Sequence, residues 1–356
     1  AVGVCALLTT TTSGNNTAVG FCALKTTSTD SNAAFGTNAL RDQTTGIYNT
    51  AVGSAAGLRT TTGTRNVAIG TSAMICNTTG SCNTAVGGMD NGTLSTMMCN
   101  TTGNRNTALG NSTLVKNTTA DNNTAVGTLA LYANTTGAKN SAFGVFALEN
   151  NTTGAENVAL GKDSLGANTT GPNNTAVGTN SLRRNTEGED NTAVGNLALC
   201  TNTTGDHNVA VGLSALHKNT TADNNVAVGT CASGCNTDGH SNVSIGYNSL
   251  RALTTGTDNT AVGFEAGKSI TTGDRNTAMG YLALSTMTTV ADNTAVGYKA
   301  MTANTSGSNN TAVGKDAMLA NTTGANNVAI GQNALETSTS GGANTAVGQL
   351  AAQDLT

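Results

Sequence analysis

The chain of 356 residues is rich in glycine and poor in large side chains, with 44 Gly, 3% aromatic residues and no Trp. Charged residues make up only 10% of the chain and the formal net charge is −4, so it lacks both the basic face of a nucleic-acid binder and the high charge that keeps a chain disordered. No apolar run approaches the roughly 20 residues of a membrane-spanning helix. A thin, repetitive core of small side chains is the interpretation that remains.

The sequence is an array of repeats, each marked by Asn, a Thr or Val, Ala, an apolar residue and Gly. Twenty-one such glycines run from Gly3 to Gly348, and eighteen of the twenty intervals between them are 17 residues long. One interval is 16 residues, and the one from Gly87 to Gly110 is 23. We therefore predict a single uninterrupted array over residues 1–356, with a six-residue insertion near 88–93.

The repeat predicts an all-β fold. If the glycine is position 0, the consensus reads G-x-x-A-L-x-x-N-T-T-G-x-N-N-T-A-V. Positions 13 to 16 have the alternation and β-propensity of a strand, and Gly at positions 0 and 10 is expected to supply the positive φ that tight corners need. We predict a parallel β-solenoid, a β-roll of about 21 coils with one coil per 17-residue repeat.

Stacked coils place equivalent side chains in columns along the solenoid. Position 13 is Asn in all twenty complete copies, which predicts an asparagine ladder. Positions 4 and 16 are apolar and are predicted to fill the core, while charges fall in the turns. The ladder is represented by Asn66, Asn83, Asn106, Asn123 and Asn140, and the core by Val86, Leu109, Val126, Leu131 and Phe143.

The repeated word, seen as NVAIG at residues 66–70 and 327–331, resembles the head repeats of YadA-type trimeric autotransporter adhesins and similar arrays in fibre shafts of phages and large viruses. The resemblance implies a left-handed β-roll, three chains side by side, and a role as a surface fibre or adhesin. The sequence departs from the family in two ways: the 17-residue period is longer than the family's usual coil, and this sequence contains no coiled-coil stalk, membrane anchor or fibre-end chaperone domain.

Position 15 is Ala in nineteen of the twenty copies. Beside the glycine at position 0, so small a residue would let a neighbouring chain approach closely, which favours the homotrimer. The alternative is that Ala fits a narrow coil of a single chain. The residues concerned are Ala68, Ala85, Ala108 and Ala125.

Cysteines recur at equal positions of adjacent repeats. Cys5 and Cys22 share position 2, and Cys76 and Cys99 share position 6. Stacked neighbours lie within the Cα range of a disulfide, so both pairs are candidate disulfides in an oxidising compartment. The alternative is a row of free thiols that pack as small hydrophobic side chains.

Glycosylation sequons recur at position 7, and Asn77, Asn117, Asn134 and Asn151 are candidate sites. The alternative for the N-T-T-G word is turn chemistry.

The C-x3-C-x4-H spacing of Cys231, Cys235 and His240 fits no common zinc pattern.

These observations predict a structural protein and not an enzyme, with no cofactor, no metal, no nucleic-acid partner and no membrane span. We expect a shaft or filament on a cell or virion surface, built by lateral or end-to-end self-association. An adhesin that binds surface glycans or a receptor is the alternative, with residues 88–93 as its candidate patch. Thr columns at positions 8, 9 and 14 leave an ice-binding solenoid as a further alternative.

Overall fold

The structure is a computed structural model, and it describes residues 1–9, 14–88 and 94–355. Its contacts divide the chain into two compact units. The first consists of Ala1–Asn180 and Asn185–Glu187, and the second of Ser181–Arg184 and Gly188–Thr356. Across the described ranges each unit holds ten strands of three residues, and no helix occurs in them.

The strands are spaced like the repeats. The first unit contains β1 (Thr17–Val19), β2 (Ala33–Phe35), β3 (Thr50–Val52), β4 (Val67–Ile69), β5 (Thr84–Val86), β6 (Thr107–Leu109), β7 (Thr124–Val126), β8 (Ser141–Phe143), β9 (Val158–Leu160) and β10 (Thr175–Val177). The second contains β11 (Thr192–Val194), β12 (Val209–Val211), β13 (Val226–Val228), β14 (Val243–Ile245), β15 (Thr260–Val262), β16 (Thr277–Met279), β17 (Thr294–Val296), β18 (Thr311–Val313), β19 (Val328–Ile330) and β20 (Thr345–Val347).

Within each unit every strand pairs in parallel with the next strand of the sequence. Ala142 of β8 lies opposite Ala159 of β9, and Ala210 of β12 lies opposite Ala227 of β13. Because consecutive parallel strands are one repeat apart, which is 17 residues in all but two cases, the backbone completes one coil per repeat. The predicted parallel β-solenoid is confirmed, and its handedness stays a prediction.

The long interval does not interrupt the stacking. Thr84 of β5 pairs with Thr107 of β6, although the two residues are 23 apart. Apart from Gly88, the predicted insertion at 88–93 lies outside the described residues. The repeat therefore keeps its register on both sides of the insertion.

The coil of residues 144–160 shows how one repeat is built. Positions 0–3, 2–5 and 4–7 form three successive turns. In the first of them the amide of Ala147 donates to the carbonyl of Gly144 over 3.3 Å. Phe146, Leu148 and Glu156, at positions 2, 4 and 12, all have positive φ of 52–61°. Since L-residues disfavour this region, this coil carries three strained corners that the inter-coil hydrogen bonds must hold in place.

The core differs from the prediction at one column. Leu131, at position 4, is fully buried as predicted, but Leu109 and Phe143 at position 16 are 46% and 40% exposed. Val86 and Val126, also at position 16, are only partly buried. The prediction was wrong for these four residues because position 15 faces inward, so that positions 14 and 16 of the same strand must face outward.

The column at position 15 fills the interior of the chain itself. Ala68 is 2% exposed, and Ala85, Ala108 and Ala125 are fully buried, so none of them can contact a neighbouring chain. The close-packing role predicted for these alanines between chains is therefore wrong, and the alternative, a narrow single-chain coil, is what the structure has. A coil this narrow has room for a methyl group at position 15, which leaves the larger neighbour at position 16 outside.

The glycines at positions 0 and 10 have different roles. Gly161, at position 0, has φ +138°, and a Cβ there would lie 2.6 Å from the carbonyl oxygen of Gly178 in the next coil. Gly154, at position 10, has no positive φ, contrary to the prediction. A Cβ on Gly154 would instead lie 2.5 Å from Oδ1 of Asn151, so this glycine makes room for a buried side chain.

Candidate functional site: the outer apolar column

Each strand presents its position-16 side chain to solvent, and together these residues form what we call the outer apolar column. In the first unit the column consists of Val19, Phe35, Val52, Ile69, Val86, Leu109, Val126, Phe143, Leu160 and Val177. In the second unit it consists of Val194, Val211, Val228, Ile245, Val262, Met279, Val296, Val313, Ile330 and Val347. Exposure varies along the column, since Val347 is 67% exposed, Leu160 50% and Val52 39%.

The column is continuous within each unit because its members are direct strand partners, as Phe143 and Leu160 are. At roughly 50 Å² of apolar surface per side chain, ten members expose roughly 500 Å² in each unit. The largest apolar patch on a typical monomer is about 300–600 Å² and is often functional. Position 14 faces the same way, and Val158 there is 40% exposed. No charged residue occupies positions 13 to 16 in any repeat, so the strip is uncharged along its length.

An asparagine ladder at position 13 holds the strands in register, as predicted. The backbone amide of Asn140 donates to Oδ1 of Asn123 over 2.9 Å, and its Nδ2 donates to the carbonyl of Gly154 in the next coil over 2.9 Å. The same amide-to-Oδ1 bond is made by Asn66, Asn83, Asn106 and Asn123. The side chains thus bridge both neighbouring coils, and their burial makes each bond costly to lose.

A second ladder at position 7 was not predicted. Nδ2 of Asn151 donates to Oδ1 of Asn134 in the preceding coil over 2.8 Å and to the carbonyl of Gly154 in its own coil over 2.9 Å. The signal in the sequence was the recurrence of Asn at this position, which we interpreted as turn chemistry or as sequons. In the structure this asparagine belongs to the interior.

The second ladder excludes the predicted glycosylation sites in the folded chain. The side chains of Asn77, Asn117, Asn134 and Asn151 are all fully buried. Each Nδ2 donates a hydrogen bond to the backbone carbonyl at position 10 of its own coil. A glycan on any of these atoms would replace the bond and would have no path to solvent, so the prediction was wrong.

The four cysteines proposed for disulfides are free thiols in the structure. Both pairs occupy adjacent coils: the amide of Cys22 donates to the carbonyl of Val4, and the amide of Cys76 to that of Met98. Burial raises the pKa of the Cys99 thiol above its ordinary value, and the nearby Cys76 raises this pKa further. Disulfide formation between the members of each pair stays a prediction.

Charged side chains lie in the turns, and some of them pair with the equivalent residue of the adjacent coil. Lys139 and Glu156, 17 residues apart at position 12, form an ion pair of 2.6 Å, and Arg275 and Asp292 form another of 2.7 Å at the same position. Within the described ranges no three His, Cys, Asp or Glu side chains lie close enough together to hold a metal ion. The helix-free described part likewise offers no long apolar helix of membrane-spanning length.

Four aromatic side chains form a row that the sequence analysis missed. Tyr247, Phe264, Tyr281 and Tyr298 occupy position 1 in four successive coils of the second unit. Neighbouring ring centroids are 5.3 Å apart and the ring planes differ by 8–15°. The rings are 43–49% exposed. Their 17-residue spacing was the available signal, and we refer to them below as the aromatic row.

The sequence matches no protein-family model and no curated protein. The geometry of the chain itself therefore carries the functional argument.

Proposed function

We propose that this protein is a structural shaft or filament of an extracellular or virion-surface fibre, in which copies associate side by side through the outer apolar column. The observation that carries the proposal is the column itself: apolar side chains stay at least partly exposed in every described strand although a smaller residue fills the interior. An uncharged strip of this size would be covered by a surface of the same period, and a second copy has that period.

Three side-by-side copies are the arrangement we propose, on the resemblance to trimeric adhesin heads. The alanines at position 15 no longer support it, because they lie inside the chain. The outer apolar column is the surface through which the copies would associate instead, since it lies on the face of each strand that points away from the interior. A surface location is part of the same proposal, and an adhesin that binds surface glycans or a receptor remains the alternative function.

The ice-binding alternative is less well supported than lateral association. Ice recognition would need free hydroxyl groups in a regular array. At position 8, however, the hydroxyl of Thr152 donates to the carbonyl of Thr169 over 3.0 Å, and the same bond recurs from coil to coil. Residues 89–93, which include most of the candidate adhesin patch, lie outside the described residues.

Charged substitutions in the column test the proposal. The variant L109D/F143D/L160D places three carboxylates on the outer surface, where a covering copy would have to bury them. We expect the wild-type chain to assemble, and the variant to be a single chain with an unchanged circular dichroism spectrum. Light scattering after size-exclusion chromatography gives both masses.

The matched control T136D/T153D/T170D adds the same charge to exposed residues at position 9. It should assemble like the wild-type chain. An L109D/F143D/L160D variant that still assembles, or a wild-type chain that is monomeric throughout, would show that the column is not the association surface.

A further inference from the structure

The aromatic row is confined to four successive coils of the second unit. In the second unit, position 1 before the row is occupied by Asn196, Leu213 and Thr230, and after it by Lys315, Gln332 and Gln349. The row therefore spans four coils and ends at both sides in residues that are not aromatic. At Tyr298 the ammonium group of Lys299 lies 5.4 Å from the ring centroid, which covers that end with a cation.

The outer apolar column leaves the alignment of two associated copies undetermined. Twelve of its twenty members are Val and the others are also apolar, so a copy displaced by one coil, about 4.8 Å, would still bury an apolar strip of similar area. A strand pattern that looks the same after each step specifies register weakly. Lateral association through the column needs a second feature if the copies are to align.

We infer that the aromatic row sets the axial register of the second copy, with the copies parallel and unshifted. This inference rests on the proposed lateral association. Each residue of the aromatic row follows a residue of the outer apolar column by two positions, as Tyr247 follows Ile245. The Cα atoms of the two residues therefore lie within about 7 Å of each other. Four half-exposed rings add roughly 400 Å² of aromatic surface to this border. A displaced copy leaves part of that area uncovered, and a displacement of four coils leaves all of it.

The geometry of the row favours a second copy as its occupant. The ring faces are turned toward one another, so the row presents ring edges to a partner and leaves few faces for a flat ligand such as a sugar ring. A surface that meets four ring edges at intervals of 5.3 Å must itself repeat at that spacing. The same row on another copy does so.

Substitution of the row by Thr, the residue at this position in other coils such as that of Thr230, tests the inference. The variant Y247T/F264T/Y281T/Y298T is mixed with ¹⁵N-labelled copies of itself and treated with a lysine cross-linker, and mixed-isotope peptide pairs then report contacts between copies. In wild-type assemblies we expect Lys299 to link to Lys299 and to near neighbours. In the variant we expect new links between lysines several coils apart, such as Lys218 and Lys299.

The control T255A/T272A/T289A/S306A changes four exposed turn residues of the same coils and should keep the wild-type link pattern. A smaller variant, F264T/Y281T, gives the same readout if the larger one does not fold by circular dichroism. Assembled row variants with the wild-type links would overturn the inference and leave lateral association intact. Row variants that become monomeric would also overturn it, because the row would then drive association itself. A monomeric wild-type chain would instead overturn the proposed function.

Discussion

Asn151 and Asn134 lie one above the other in consecutive coils, and Nδ2 of Asn151 donates to Oδ1 of Asn134 over 2.8 Å. The same Nδ2 also donates to the carbonyl of Gly154. One side chain thus joins two coils and closes a turn of its own. Because both atoms are buried, the fold depends on this pair more than on any exposed ion pair of the turns.

Replacement of Asn151 by Ala should destabilise the first unit by about 2 to 4 kcal/mol, because it leaves Oδ1 of Asn134 buried without a donor. The measurement is the free energy of unfolding in urea. Thr153→Ala, an exposed change two residues away, should alter it by less than about 0.5 kcal/mol. Equal effects of the two substitutions would show that the position-7 ladder does not hold the coils together.

Thr60 marks a break in the same ladder, and repairing it should stabilise the protein. Oγ1 of Thr60 and Oε1 of Gln43 in the preceding coil are both buried without a hydrogen-bond partner. Thr60→Asn supplies an acceptor for Nδ2 of Asn77 and a donor to the carbonyl of Gly63. We expect it to raise the free energy of unfolding in urea by about 1 kcal/mol. Thr60→Val only removes the unpaired hydroxyl. An asparagine variant less stable than the valine variant would contradict this account.

Adjacent residues of one strand should respond oppositely to substitution. Ala159 is fully buried, so Ala159→Leu overpacks the narrow interior and should cost at least about 2 kcal/mol. Leu160 is 50% exposed, and Leu160→Ala should change stability by about 0.5 kcal/mol or less when dilute, separate chains are unfolded in urea. The reverse order would place position 16 inside the coil.

The raised pKa of Cys99 predicts a pH dependence of its reactivity. Burial is the main cause and Cys76 the second, while Lys116 opposes both. The thiolate should therefore form only above the ordinary thiol pKa of about 8.5. Since the folded-state pKa is the higher one, the contribution of this group to stability is present below the ordinary value and is lost as pH rises through the folded pKa.

Alkylation of Cys99 by iodoacetamide, followed by mass spectrometry as a function of pH, measures this shift. Cys76→Ser should move the midpoint of alkylation to lower pH, and Cys82→Ser, at an exposed turn, should not move it. A midpoint at the ordinary thiol value in the wild-type chain would show that partial burial does not raise the pKa of Cys99.

The repeat predicted the coil, the strand and the first ladder, because spacing and alternation determine which residues are stacked on one another. Alternation alone does not decide which face of a strand points inward, and a shift by one residue exchanges the two faces. We placed the larger residue inside. The size tolerance of each column was the better guide: position 15 is almost always Ala, whereas position 16 ranges from Val to Phe.

Other features had no signal that a single sequence could provide. Positive φ at positions 2, 4 and 12 occurs in residues as different as Phe146, Leu148 and Glu156, none of which favours that conformation. Stacking of whole coils imposes it. Gly267 occupies position 4, where most other coils have Leu. Cδ1 of Ile270 lies 2.9 Å from where a Cβ on Gly267 would be, so Ile270 fills the space that Leu fills in those coils.

The molar mass of the wild-type chain in solution tests the central claim most directly, because the outer apolar column should be covered by other copies. Sedimentation equilibrium over a range of concentrations should give a whole-number multiple of 35.2 kDa, with three copies as the predicted state. A single species of 35.2 kDa at every concentration would contradict lateral association through this column.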